Sequence, residues 1–224
     1  MKIIFFTTLL FYLMSASVSF GQIDPKVVET GLYKSTTSDK AKKFYNLAEV
    51  NFQNRNYEKA IEQYKLAILE DSNYIEAYDN LGLAFRKTNA LDSAEFYYLL
   101  SHKKYPKGGT ALQNLAIVEQ IRGNVPKAIG YYEQLIEIDP KDPEGYYGIS
   151  ILQVNSGKLE DGLKNAHLAE QYYKEVNSPY IGDCYYLLFS IYYHIKDKPS
   201  AKKYLDLSKK AGVKIDPKIE AEMQ

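Results

Sequence analysis

One eight-residue segment returns at a fixed interval, and nothing else in the chain restricts its fold so sharply. Tyr57-Glu58-Lys59-Ala60-Ile61-Glu62-Gln63-Tyr64 is matched 34 residues later by Leu91-Asp92-Ser93-Ala94-Glu95-Phe96-Tyr97-Tyr98, and 34 later again by Val125-Pro126-Lys127-Ala128-Ile129-Gly130-Tyr131-Tyr132. A weaker fourth copy is Leu159-Glu160-Asp161-Gly162-Leu163-Lys164-Asn165-Ala166. A chain that repeats at this period builds one small unit several times. Each unit leaves an apolar face uncovered unless its neighbours stack on it.

The unit resembles the tetratricopeptide repeat. The second copy carries the fullest set of matching residues: Tyr78, Leu81, Gly82 and Phe85 in its first half, then Ala94, Tyr98, Ser101 and Pro106. Residues 41–74, 75–108, 109–142 and 143–176 read as four such units. Residues 182–215 read as a divergent fifth, after the insertion Asn177 to Ile181. The resemblance implies an all-α fold, an α-solenoid of antiparallel helix pairs with about five repeats.

Side-chain size supports that reading. Small residues recur where paired helices must cross closely: Ala48, Gly82, Ala116 and Ser150 in the first helices, then Ala60, Ala94, Ala128, Gly162 and Ala201 in the second. Tyr64, Tyr98 and Tyr132 are expected between layers, which gives many of the 22 tyrosines a structural task. Helix breakers mark the turns within units: Asn54-Arg55-Asn56, Gly123-Asn124, Gly157-Lys158 and Asp197-Lys198-Pro199. Pro106 and Pro140 end second helices. The pattern departs at Asn51 and Glu119, where an aromatic is usual, at Leu135, where a small residue is usual, and at Ala166, where sibling units have Tyr. It departs also at Phe189, a close-contact position, so the fifth pair is expected to be wider or displaced. Residues 216–224 read as a partial capping helix with Pro217 in its first turn.

The N-terminus reads as an export signal. Lys2 precedes Ile3 to Met14, polar only at Thr7 and Thr8, and Ser19 and Gly21 fit a small-x-small cleavage site before Gln22. The apolar run is short of the roughly 20 residues of a membrane span. Residues 1–21 are therefore expected to be removed, and the protein to be periplasmic or extracellular. Membrane association follows only if the segment is retained. Residues 22–40 read as a polar tether, with Ser38 or Asp39 capping the first helix.

In proteins of this family the first helices line a groove. By the resemblance, its candidate residues include Asn46, Glu49, Asp79, Asn80, Arg86, Gln113, Asn114, Tyr147, Tyr186 and Tyr193. Asn46, Asn80 and Asn114 share one place in three consecutive units and resemble the asparagine ladders that hold peptide backbones; a side-chain amide both donates and accepts. The ladder breaks at Gly148 and Leu187. The cation clamp some relatives use for a terminal carboxylate is not matched, because Tyr45, Glu49, Thr110 and Asn114 stand at its places.

Chemistry is scarce. With 28 basic and 28 acidic residues, no field draws the chain to nucleic acid. Cys184 is the only cysteine, so no internal disulfide and no multi-cysteine zinc site can form. His102, His167 and His194 lie in different units. No phosphate loop or nucleophile elbow is present. The reading is an exported scaffold, not an enzyme, with no cofactor or metal, that binds a protein or peptide partner of unknown identity in its groove. The rivals are a structural subunit of a cell-envelope assembly and an enzyme with an unrecognised site.

Overall fold

The structure is a computed structural model describing residues 36–223. The expected signal segment 1–21, and residues 22–35 of the expected tether, lie outside the described residues. Among the described residues there are eleven α-helices and no strand. Contacts divide the chain after Ile149 into two compact units.

The first unit holds α1 (Asp39–Gln53), α2 (Tyr57–Glu70), α3 (Ile75–Lys87), α4 (Leu91–Lys104), α5 (Gly109–Ile121), α6 (Val125–Ile138) and the start of α7 (Pro143–Asn155). Three hairpins pack in sequence, α1 with α2, α3 with α4, and α5 with α6. Contacts of α2 with α3 and of α4 with α5 join each hairpin to the next, and α3 also meets α5 directly. The first helices are thereby brought side by side. The Ser38 side chain caps α1 by accepting from the Ala41 N–H at 3.2 Å. Thr36 is buried and donates to Asp71, so the end of the expected tether is tied to the first hairpin.

The turns repeat as closely as the helices do. Arg55, Asn89, Gly123, Gly157 and Lys196 all take positive φ, at 61°, 60°, 77°, 79° and 64°. In each turn the following N–H reaches back to the helix, as from Asn56 to the Asn51 carbonyl at 2.8 Å or from Asn124 to the Glu119 carbonyl at 2.8 Å. This closure satisfies carbonyls left over at a helix end. Glycine enters the left-handed region freely. Arg55 and Lys196 do not, and hold a conformation costing about 1 kcal/mol each.

Tyr64 and Tyr98 are fully buried and Tyr132 is nearly so. Two of the glycines make room for a ring. A Cβ on Gly82 would lie 2.6 Å from Tyr98 Cε1, and one on Gly148 would collide with the Tyr132 ring. The asparagine pattern therefore stops at Gly148 because a phenol already fills the space a side chain would need. Gly148→Val is expected to cost about 2 kcal/mol by overpacking. Gly130→Ala, in open space on α6, is expected to gain about 0.5 kcal/mol of helix propensity. Urea unfolding of the two variants should therefore shift in opposite directions.

Glu119, an apparent departure from the pattern, is 2% exposed and fully engaged. It accepts from Arg122 at 2.8 Å, Lys127 at 2.9 Å and Asn124 at 3.1 Å. Arg122 also pairs with Asp92 and Glu95, each at 2.5 Å. Burial opposes the charge on Glu119, but these cations outweigh it and hold the carboxyl below its ordinary range.

The second unit holds the end of α7, then α8 (Leu159–Glu175), α9 (Ile181–His194), α10 (Lys198–Lys210) and α11 (Pro217–Glu222). Helix α9 packs on both α8 and α10. Close crossings are tied by hydroxyls: Ser150 donates to the Gly162 carbonyl at 2.7 Å, and Ser208 to the Gly182 carbonyl at 3.2 Å. Cys184, buried, approaches the carbonyl of Ala166, where sibling units place Tyr. Phe189 is buried and packs toward Tyr186 and Tyr193, with ring centroids 5.5 and 5.9 Å away.

Glu170 ties α8 to α10. It accepts from Lys174 at 2.7 Å and Tyr204 at 3.1 Å, and its Oε2 lies 3.0 Å from His167 Nδ1. Burial alone would raise its carboxyl, yet the hydrogen bonds from His167, Lys174 and Tyr204 prevail and hold it at about 2. A depressed carboxylate stabilises the fold above its unfolded range, and the gain fades as pH falls toward 2. Glu170→Gln is expected to cost about 2 kcal/mol at pH 7, discounted for partial solvent screening. Melting curves of variant and wild type should converge between pH 4.5 and pH 2.

Candidate functional site

The first helices of the first unit carry most of the candidate residues, and their side chains are held by one another. On α1 and α3, Asn80 uses its Nδ2 twice, donating to Tyr45 Oη at 2.5 Å and to Glu49 Oε1 at 2.9 Å. The Tyr64 hydroxyl, from α2, donates to the same Glu49 oxygen. Glu49 is half-buried, and burial raises its carboxyl despite these two hydrogen bonds. Asn46 is exposed on α1, so the first rung of the ladder faces solvent while the second is engaged internally.

One helix further on, Arg86 reaches Asn114 Oδ1 at 3.4 Å, and Asn114 Nδ2 donates to the Thr110 carbonyl at 3.1 Å. Gln113 donates to Glu144 Oε2 at 3.0 Å. Asn80, Arg86, Gln113 and Asn114 thus form a partly exposed polar row whose rotamers are already fixed.

Asp79, expected on the open face, is 6% exposed. Ser101 gives it one hydrogen bond, while Oδ1 has no partner among the described residues. Burial pushes its carboxyl up to about 7, with the nearby Glu76 charge adding to the rise. Glu76 Oε2 also lacks a partner, and burial raises that carboxyl too. Buried polar atoms are seldom left alone. Tyr147 is half-buried on α7.

In the second unit, Tyr186 and Tyr193 lie on α9 with Phe189 between them. The Tyr193 hydroxyl donates to Glu222 Oε2 at 2.7 Å, and Lys209 pairs with Glu220 at 2.6 Å. The short α11 is thereby joined to both α9 and α10, and Tyr193 is partly committed to it. Glu144 joins the site through Gln113 without having been among the candidate residues. No local signal marks it, because its relevance arises from helices that meet only on folding.

Among the described residues no group of three or more His, Cys, Asp and Glu side chains is placed to hold a metal ion, and no helix is long and apolar enough to cross a membrane.

Stacked hairpins with aligned first helices, closed by equivalent left-handed turns, define a helical-repeat protein. Residues 39–74 match the tetratricopeptide repeat family model, and the described helix pairs share the fold of tetratricopeptide-repeat solenoids. Its fold is similar to that of MamA (residues 41 to the end) from Desulfovibrio magneticus RS-1, at 18% identity and a TM-score of 0.60, over 79% of this chain and 97% of that one. It is similar also to BtubC from P. vanneervenii, at 16% identity and a TM-score of 0.67, over 79% and 83% of the two chains. The protein CTR9 homolog of Arabidopsis thaliana is 28% identical over 148 residues, 63% of this chain but only 14% of that protein. Proteins of this fold generally serve as non-enzymatic scaffolds for protein–protein interaction.

Proposed function

We propose that this chain is an exported adaptor, without catalytic activity, that holds a protein or peptide partner on the first-helix face of residues 36–149. The observation that carries this reading is the polar row of Asn80, Arg86, Gln113 and Asn114, each fixed by a neighbour and each only partly buried. Side chains ordered before binding lose less entropy on binding. Amides and a guanidinium can meet the backbone and polar side chains of an extended segment. In-cell cross-linking of wild type should recover a partner, and Asn80→Ala combined with Asn114→Ala should reduce that recovery about tenfold, a difference of 1.4 kcal/mol. Unchanged recovery would sink the reading.

Export rests on the sequence of residues 1–21. Mass spectrometry of the mature chain should find Gln22 at its start; an intact Met1 in the recovered protein would count against cleavage.

A second reading, a subunit of a larger envelope assembly, is favoured by Phe96 and Leu99, three residues apart on α4 and 56% and 43% exposed. Native mass spectrometry of the purified chain separates the two. A subunit arrives with stoichiometric partners, an adaptor without them.

A further inference from the structure

The chain has three arginines, and the described structure treats two of them oppositely. Arg122 is paired with Asp92, Glu95 and Glu119. Arg86 has no carboxylate within ion-pair distance among the described residues. Its buried Nε has no acceptor in hydrogen-bond geometry, and its guanidinium lies against the Tyr98 hydroxyl and reaches the Asn114 amide oxygen at a long 3.4 Å. Two further cations stand beside it. Burial, and then the charges of Arg86 and Arg55, make the Lys87 ammonium easier to deprotonate than usual. Neither Lys87 nor Arg55 has an ion-pair partner among the described residues. Three like charges are therefore gathered at the C-terminal end of α3 with no counter-charge on them.

The carboxylates of α3 do not supply it. Glu76 and Asp79 lie seven or more residues back along the helix, which at about 1.5 Å per residue is roughly 10 Å or more. That exceeds the screening length of about 8 Å at physiological salt. Burial also favours the neutral form of both acids. Part of the cluster's stability comes from the helix dipole, which favours cations in the last turn of α3. That does not account for Arg55, which belongs to the turn after α1. A partly exposed guanidinium at the edge of a polar row, with no carboxylate paired to it among the described residues, is suited to a planar two-oxygen acceptor.

We infer that Arg86, flanked by Lys87 and Arg55, is the seat for an aspartate or glutamate side chain of the bound partner, so that the partner segment is acidic. This rests on the proposed binding face. It differs from a terminal-carboxylate clamp in both its residues and its ligand.

The test uses the full chain and a displayed library of twelve-residue peptides fused to the carrier through their C-termini, so that only side chains offer carboxylates. Peptides selected on wild type should be enriched in Asp or Glu at one position. Replacing that residue in a selected peptide by Gln or Asn should weaken binding about tenfold on wild type, a charge-assisted contact, and about twofold or less on Arg86→Gln. Lys87→Gln, at an exposed position that folding does not depend on, should weaken binding of the acidic peptide about threefold and leave the amide peptide unchanged. Circular dichroism checks that both variants fold. Selected peptides without acidic preference, or an equal loss on wild type and Arg86→Gln, would overturn the acidic seat while leaving the binding face standing. Failure to select any peptide whose binding depends on Asn80 and Asn114 would overturn both.

Discussion

Tyr64→Ala is expected to lower the stability of the chain by about 4 kcal/mol, among the largest effects of any single truncation in the first unit. Tyr64 has no exposed surface. Its ring is packed with Ala48, Ala60, Leu81 and Ala84 and lies 5.6 Å from the Tyr45 ring in an edge-on arrangement. Alanines line much of this site and are too short to fill the space a lost ring would leave. The cost is therefore the transfer energy of the ring together with a persistent cavity. The hydroxyl adds a separate contribution. It is one of two donors on Glu49, Asn80 being the other. Tyr64→Phe keeps the ring and should cost only about 1 kcal/mol. Removal of that donor also lets burial raise the Glu49 carboxyl further, since the Tyr64 hydrogen bond is what lowers it most. Urea unfolding of the two variants separates ring from hydroxyl. Equal losses in both would show that the hydroxyl, not the packing, dominates.

The ring was legible in the sequence and its bond was not. A tyrosine recurring at positions 64, 98 and 132 announces a shared packing role, because a repeat must fill each interlayer space in the same way. Glu49 lies 15 residues away on another helix, and no periodicity pairs them. The same contrast runs through the rest of the chain. Gly123, Gly157 and Asn89 advertise left-handed turns; Arg55 and Lys196 adopt the same conformation because the flanking hairpin imposes it. Glu119 was visible as a departure, and two of its partners, Arg122 and Lys127, sit close in sequence, whereas the Asp92 and Glu95 that complete the network come from the preceding hairpin. At the candidate site, helical position placed Asn80, Arg86, Gln113 and Asn114 on one face. It did not show that Asn80 would spend both donors on Tyr45 and Glu49, nor that Asp79 would be buried. Position on a helix fixes direction, but burial depends on what neighbouring helices cover.

Asp79→Asn is expected to stabilise the chain by about 3 kcal/mol at pH 8 and to change it little at pH 4. Asp79 is buried, with one hydrogen bond from Ser101 and an unpartnered Oδ1, and its carboxyl is raised to about 7. A raised carboxyl binds its proton more tightly in the folded chain than in the unfolded one. Folding is then favoured while the group is protonated in both states, and stability falls as pH rises from the ordinary carboxylate range, near 4, through about 7. A shift of this size corresponds to about 4 kcal/mol at most. Glu49 and Glu76 are raised by burial and tilt the curve the same way. Glu170 tilts it oppositely, but only where the pH falls below about 4.5. The interval from pH 4.5 to 7.5 therefore reports on the raised acids and leaves Glu170 out. Wild type should lose stability across it, and Asp79→Asn should remove most of that slope, since the amide occupies the same volume and cannot ionise. Parallel curves for the two proteins would mean that Asp79 finds a counter-charge or water in solution that the packing around Oδ1 does not provide.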